Sequence, residues 1–107
     1  MLYIANAFSL NMLPPHKAST IFVNPIDRDA ARDILKKNDW SSAIGHPDIA
    51  AIVSADLGAD IPVNRTTLKL GADDTLLVAQ YIGPRLAPGT IALPDGASIQ
   101  YFLITQM

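Results

Sequence analysis

Residues 75–82 read TLLVAQYI, and near the end of the chain residues 98–105 read SIQYFLIT. Both are short runs rich in β-branched, aromatic and leucine side chains and bounded by turn formers, which is the composition of strands. Working outward, LYIANA at 2–7 and TIFVN at 20–24 have the same character. TTLKL at 66–70 alternates and is joined to 75–82 by GADD, so the spacing predicts a hairpin over 66–82. A short extended piece is expected around TIAL at 90–93, followed by a turn at PDG. Between the first two strands, Pro14 and Pro15 allow no more than an irregular stretch or a single turn.

Two segments change period. In DRDAARDILKK, residues 27–37, Asp27 can cap the first turn. Ala30, Ala31, Ile34 and Leu35 share one face, and Lys36 and Lys37 suit the negative end of the helix dipole. Asp33 and Lys37, four apart, read as a solvated pair. A second helix is expected from Pro47, with His46 at its N-cap, Asp48 in the first turn, Ile49, Ile52, Val53 and Leu57 as the buried stripe, and Gly58 as the stop. Five strands and two principal helices predict a single α+β domain over residues 1–107, a roughly five-stranded mixed sheet with helices covering one face.

Composition excludes several classes of function. The 107 residues contain no cysteine and only two histidines, so neither a disulfide framework nor a thiolate metal site can form, and a zinc centre has a poor basis. No cofactor or metal is expected, with a carboxylate-bound ion left open. No apolar run reaches the roughly 18–20 residues of a membrane span, and the first ten residues lack the basic flank and cleavage pattern of a signal peptide. The expectation is a cytoplasmic protein with no membrane partner. A net charge of −2 with no run of Lys or Arg argues against duplex DNA as a partner. All ten acidic residues are aspartate, so any carboxylate chemistry would need close placement.

Candidate site residues follow from position. A helix N-terminus attracts an anion, so a phosphate there would lie beside the His46 imidazole; the dipole disfavours the imidazolium and the phosphate favours it. The other reading is that His46 simply caps the helix. Arg65, just before TTLKL, and Arg85, in GPRLAPG after the long strand, can each grip a phosphate bidentately or remain solvated surface arginines. Asn6, Ser9 and Asn11, polar within NAFSLN, either satisfy the backbone where the first strand ends or face a ligand. His16, beside Pro15 and Lys17, reads as a surface loop residue.

Taken together, YIANAFSLNML at 3–13, SSAIGH at 41–46, VNR at 63–65 and PRLAPG at 84–89 resemble a family of small domains from archaeal viruses, phages and CRISPR-linked bacterial genes. Its viral members are type III anti-CRISPR ring nucleases. The resemblance covers nearly the whole chain in the same order. It implies a homodimer whose pocket, across the two-fold axis, takes cyclic tetra-adenylate and cleaves it without metal, dampening type III CRISPR signalling. It puts the general acid on His46, phosphate or transition-state contacts on Arg85 and Arg65, and the pocket floor on Asn6, Ser9 and Asn11. One departure stands out. Where viral relatives carry acidic residues after the arginine and leucine, this chain has Ala87 and Pro88, and the region after Gly89 is shorter. Two further readings are a dimer that binds duplex DNA without catalysis and a sensor that binds a cyclic nucleotide without cutting it.

Overall fold

The computed structural model describes residues 1–106. In chain order the elements are β1 (Leu2–Ala5), a single 3-10 turn (Leu10–Met12), β2 (Ile21–Ile26), α1 (Arg28–Lys37), β3 (Trp40–Ser42), α2 (Pro47–Leu57), β4 (Thr75–Ile82) and β5 (Ser98–Gln106). The five strands make one mixed sheet in the order β2-β5-β4-β1-β3. β1 runs parallel to both β3 and β4, whereas β5 is antiparallel to β4 and to β2. This is the expected α+β domain.

β4 lies in the middle for a reason visible in its side chains. Leu76, Leu77, Val78 and Ala79 are all buried, alternating between the two faces of the sheet. Leu77 and Ala79 join Leu2, Ile4 and Tyr101 beneath the helices, against Ala31 and Leu35 of α1 and Ile49, Ala50, Val53 and Leu57 of α2. Leu76 and Val78 join Ala5 and Ile104 on the opposite face, where no helix sits. Pro25 is accommodated because β2 is an edge strand, whose outward N–H positions need no ladder partner.

Both helices end as their sequences dictate. The Asp27 carboxylate accepts from the Ala30 N–H at 2.7 Å, and Asp33 and Lys37 meet at 2.8 Å. Gly58 closes α2 in the left-handed region at φ 63°, a conformation that an L side chain resists. Arg32 reaches from α1 to the carbonyls of Asp56 and Leu57, both at 3.2 Å, so α1 supplies the positive charge that the last turn of α2 lacks.

Several expectations are corrected. Residues 66–70 form no strand, and the hairpin is β4–β5 rather than 66–82. The GADD turn is present: Asp74 N–H donates to the Gly71 carbonyl at 3.1 Å. The extended segment before it instead lays Leu68 and Leu70 against the helix-free face and sends the Leu70 N–H to the Met12 carbonyl at 2.8 Å. Its alternation comes from packing on a sheet face, not from a place in the ladder. The fifth strand is β3, which is three residues long and too rich in serine to carry a strand pattern; pairing with β1 creates it. No strand forms at 90–93, which belongs to the loop between β4 and β5, and β1 stops at Ala5 rather than at residue 7. The PDG turn is as expected, with Ala97 N–H donating to the Pro94 carbonyl at 3.1 Å.

One polar cluster pins sheet to helices. The Tyr101 hydroxyl donates to the Asp56 carboxylate, which Arg28 also meets at 3.5 Å. Burial, and then the bond to Asp56, pushes the phenol well above its ordinary range near 10. A phenol raised in the folded state contributes stability that is complete below its unfolded pKa and is lost as pH rises beyond it. The urea midpoint should therefore fall more steeply above pH 10 in the parent protein than in Tyr101→Phe. Parallel pH profiles for the two proteins would remove Tyr101 as the cause.

Candidate functional site

The three mutually parallel strands, β1, β3 and β4, all end at the same edge of the sheet, where open α/β arrangements place their ligands. From that edge β1 passes into NAFSLN, β3 into the chain that starts α2, and β4 into the loop carrying Arg85. The motifs separated along the sequence are thus the exits of neighbouring strands.

His46 is the N-cap of α2. Its backbone is extended at φ −118°, and its Nδ1 accepts from the Ile49 N–H at 3.3 Å. A ring nitrogen that accepts carries no proton, so this bond assigns the neutral imidazole's proton to Nε2. The exposed ring lines a broad cleft of about 1020 Å³, shared with Asp48 and Ile49 of α2, Tyr81 at the end of β4 and the loop from Gly83 to Gly89. Arg85 is in that loop and lines the same cleft.

Arg65 arrives by a different route. The Asn64 N–H donates to the Ile44 carbonyl and its side-chain amide to the Ser42 carbonyl, both at 2.8 Å. The Ser42 hydroxyl donates to the Pro62 carbonyl at 2.6 Å. These bonds stitch residues 62–64 to the chain entering α2 and bring VNR beside AIGH. A Cβ on Gly45 would come within 3.3 Å of Arg65 Cγ, so glycine is what lets the arginine's stem lie against the residue before His46.

Arg65 is not among the residues that line this cleft, nor are Asn6, Ser9 and Asn11. Ser9 caps the 3-10 turn, its hydroxyl accepting from the Asn11 N–H at 3.3 Å, and the Asn11 carbonyl accepts from Lys69 Nζ at 2.6 Å. Asn6 borders a smaller cavity of about 310 Å³ on the helix-free face, with Phe8, Gln80 and Phe102. A single chain therefore gathers His46 and Arg85, sets Arg65 alongside, and leaves Asn6, Ser9 and Asn11 on neighbouring surface. Sequence reasoning missed Tyr81, Asp48 and Gly45. Strand parity was the available signal for Tyr81: it lies on the same face as Leu77 and Ala79, and so on the helix side. Among the described residues no group of three or more His, Cys, Asp or Glu side chains could hold a metal ion, and no helix is long and apolar enough to cross a membrane.

The chain is thus a small α+β protein with a capped histidine and a loop arginine at the carboxyl edge of its parallel strands. A family model described as STIV B116-like matches residues 2–100, and the chain belongs to this family of small archaeal-virus proteins. The structure is similar to B116 of Sulfolobus turreted icosahedral virus, with a TM-score of 0.79, 26% identity and 97% of each chain covered. In sequence it is 32% identical over 77 residues to "Uncharacterized protein 26" of Sulfolobus islandicus filamentous virus (isolate Iceland/Hveragerdi). That match covers 72% of this chain and 64% of the relative, less than two thirds of the relative's length.

Capping can be separated from any chemistry by substitution. His46→Ala should lower stability by about 0.5–2 kcal/mol, whereas His46→Asn, which retains a side-chain acceptor, should match the parent. Denaturant midpoints that coincide for all three proteins would show that the cap contributes nothing.

Proposed function

We propose that the protein is a metal-independent ring nuclease that degrades cyclic tetra-adenylate and thereby dampens type III CRISPR signalling. The observation that carries this reading is the meeting of His46 and Arg85 in one cleft at the start of α2. An adenosine 2′-hydroxyl attacks the adjacent phosphorus in line, the P–O5′ bond breaks, and protonated His46 delivers its proton to the departing 5′ oxygen. The 2′-hydroxyl proton passes to solvent, and the product ends in a 2′,3′-cyclic phosphate. Two such cuts on opposite sides of the ring release linear di-adenylate. Arg85, with Arg65, stabilises charge on the phosphate as it develops. The protein acts as a homodimer, because a ring with four phosphates is matched by two identical half-sites across a two-fold axis. Asn6, Ser9 and Asn11 then serve the ligand from surface outside the cleft of the single chain.

The cap sharpens the role of His46. Protonating Nδ1 would set two donors face to face, so a His46 that acts as the general acid gives up its cap on the Ile49 N–H. A second reading, a sensor that binds the ring without cutting it, draws on the departure from the viral pattern at Ala87 and Pro88, both of which line the cleft.

Incubation with cyclic tetra-adenylate in excess chelator, followed by chromatography, distinguishes the two. Linear di-adenylate is expected; tight binding with no product would establish the sensor, and neither binding nor product would overturn both. His46→Ala should slow cleavage by about 10²–10⁴-fold, the range for loss of a general acid, with binding largely retained. Arg85→Ala should weaken binding and cleavage together.

A further inference from the structure

The loop that carries Arg85 is held at a narrow neck. β4 and β5 remain in register up to the pair Ile82 and Ser98, and residues 83–97 bulge out beyond it. At the neck a Cβ on Gly83 would lie 2.6 Å from the Ala97 Cβ and 2.8 Å from the Tyr81 hydroxyl, so only glycine lets the strands and the phenol meet there. The Tyr81 hydroxyl donates to the Pro84 carbonyl at 2.7 Å. On the other side of Arg85, Leu86 packs against the helix-side core. The arginine is therefore flanked by two anchors: its preceding carbonyl is bound by a side chain of the sheet, and its following side chain is sunk against the core.

We infer that Tyr81 is a positioning residue, whose hydroxyl fixes the first turn of the loop and thereby sets Arg85 across the cleft from His46. Tyr81 lines the same cleft but acts through Arg85, not on the ligand. The backbone angle of Pro84 is restricted by its ring, so holding its carbonyl leaves Arg85 little freedom at its amino side. Leu86 alone would leave that start free to swing. The catalytic consequence rests on the ring-nuclease reading; the geometric claim does not.

Tyr81→Phe removes one oxygen and keeps the ring, and two independent readouts follow. First, limited trypsinolysis with mass detection should cut after Arg85 about five- to ten-fold faster than in the parent, because loss of one hydrogen bond raises the population of the opened loop. Gly83→Ala, which crowds the same hydroxyl, should act in the same direction. Second, Tyr81→Phe should raise KM for cyclic tetra-adenylate about ten-fold with Arg85 present and change nothing in an Arg85→Ala background, since a residue acting through Arg85 has no second route. An unchanged nicking rate, or an equal loss in both backgrounds, would overturn the inference. If the parent protein does not process the ring, the functional reading fails while the nicking rates of the two variants still decide the role of Tyr81.

Discussion

Everything in this protein hangs on β4 having partners on both edges and both faces. Four consecutive residues, Leu76 to Ala79, are buried, two beneath the helices and two beneath the 66–70 segment. A shift of one residue in the register of β4 would exchange these faces and put the wrong set against each layer. The same register also decides where the strand ends and hence where Arg85 emerges. Core packing and site geometry are consequently a single constraint.

The carboxyl edge of the parallel strands then concentrates polar function without a polar core. Nothing charged needs to be buried to build the cleft: His46 and Arg85 within it, and Arg65 beside it, are exposed, and their placement comes from the backbone. His46 is held by the first turn of α2, Arg65 by the Asn64 and Ser42 hydrogen bonds, and Arg85 by the neck of its loop. A site assembled this way can lose one member without loss of fold, which fits a family whose members share architecture at low sequence identity. The Arg85 loop closes its turn through Thr90, whose N–H and hydroxyl both donate to the Ala87 carbonyl, with no acidic side chain at position 87 or 88.

The cap bond gives the cleft its chemical character. A histidine that accepts from its own helix through Nδ1 leaves Nε2 as the ring nitrogen available to a second partner.

The elements governed by local rules were legible in the sequence. α1 and α2 begin and end at Asp27, Lys37, Pro47 and Gly58 because caps, dipole complements and apolar stripes act within one or two turns of chain. The strong strands β4 and β5 announced themselves by composition, and His46 and Arg85 by their places at element ends. What required the tertiary structure was pairing. TTLKL alternates like a strand but packs on a face; WSS has no strand pattern but gains one beside β1. No local signal separates these cases, since side-chain alternation is the same whether hydrogen bonds run to a neighbour or not. Likewise the meeting of VNR with AIGH, the departure of Asn6, Ser9 and Asn11 from the cleft, and the hold of Tyr81 on Pro84 depend on which strands end side by side. That is set by long-range contacts whose free energy is shared across the whole sheet.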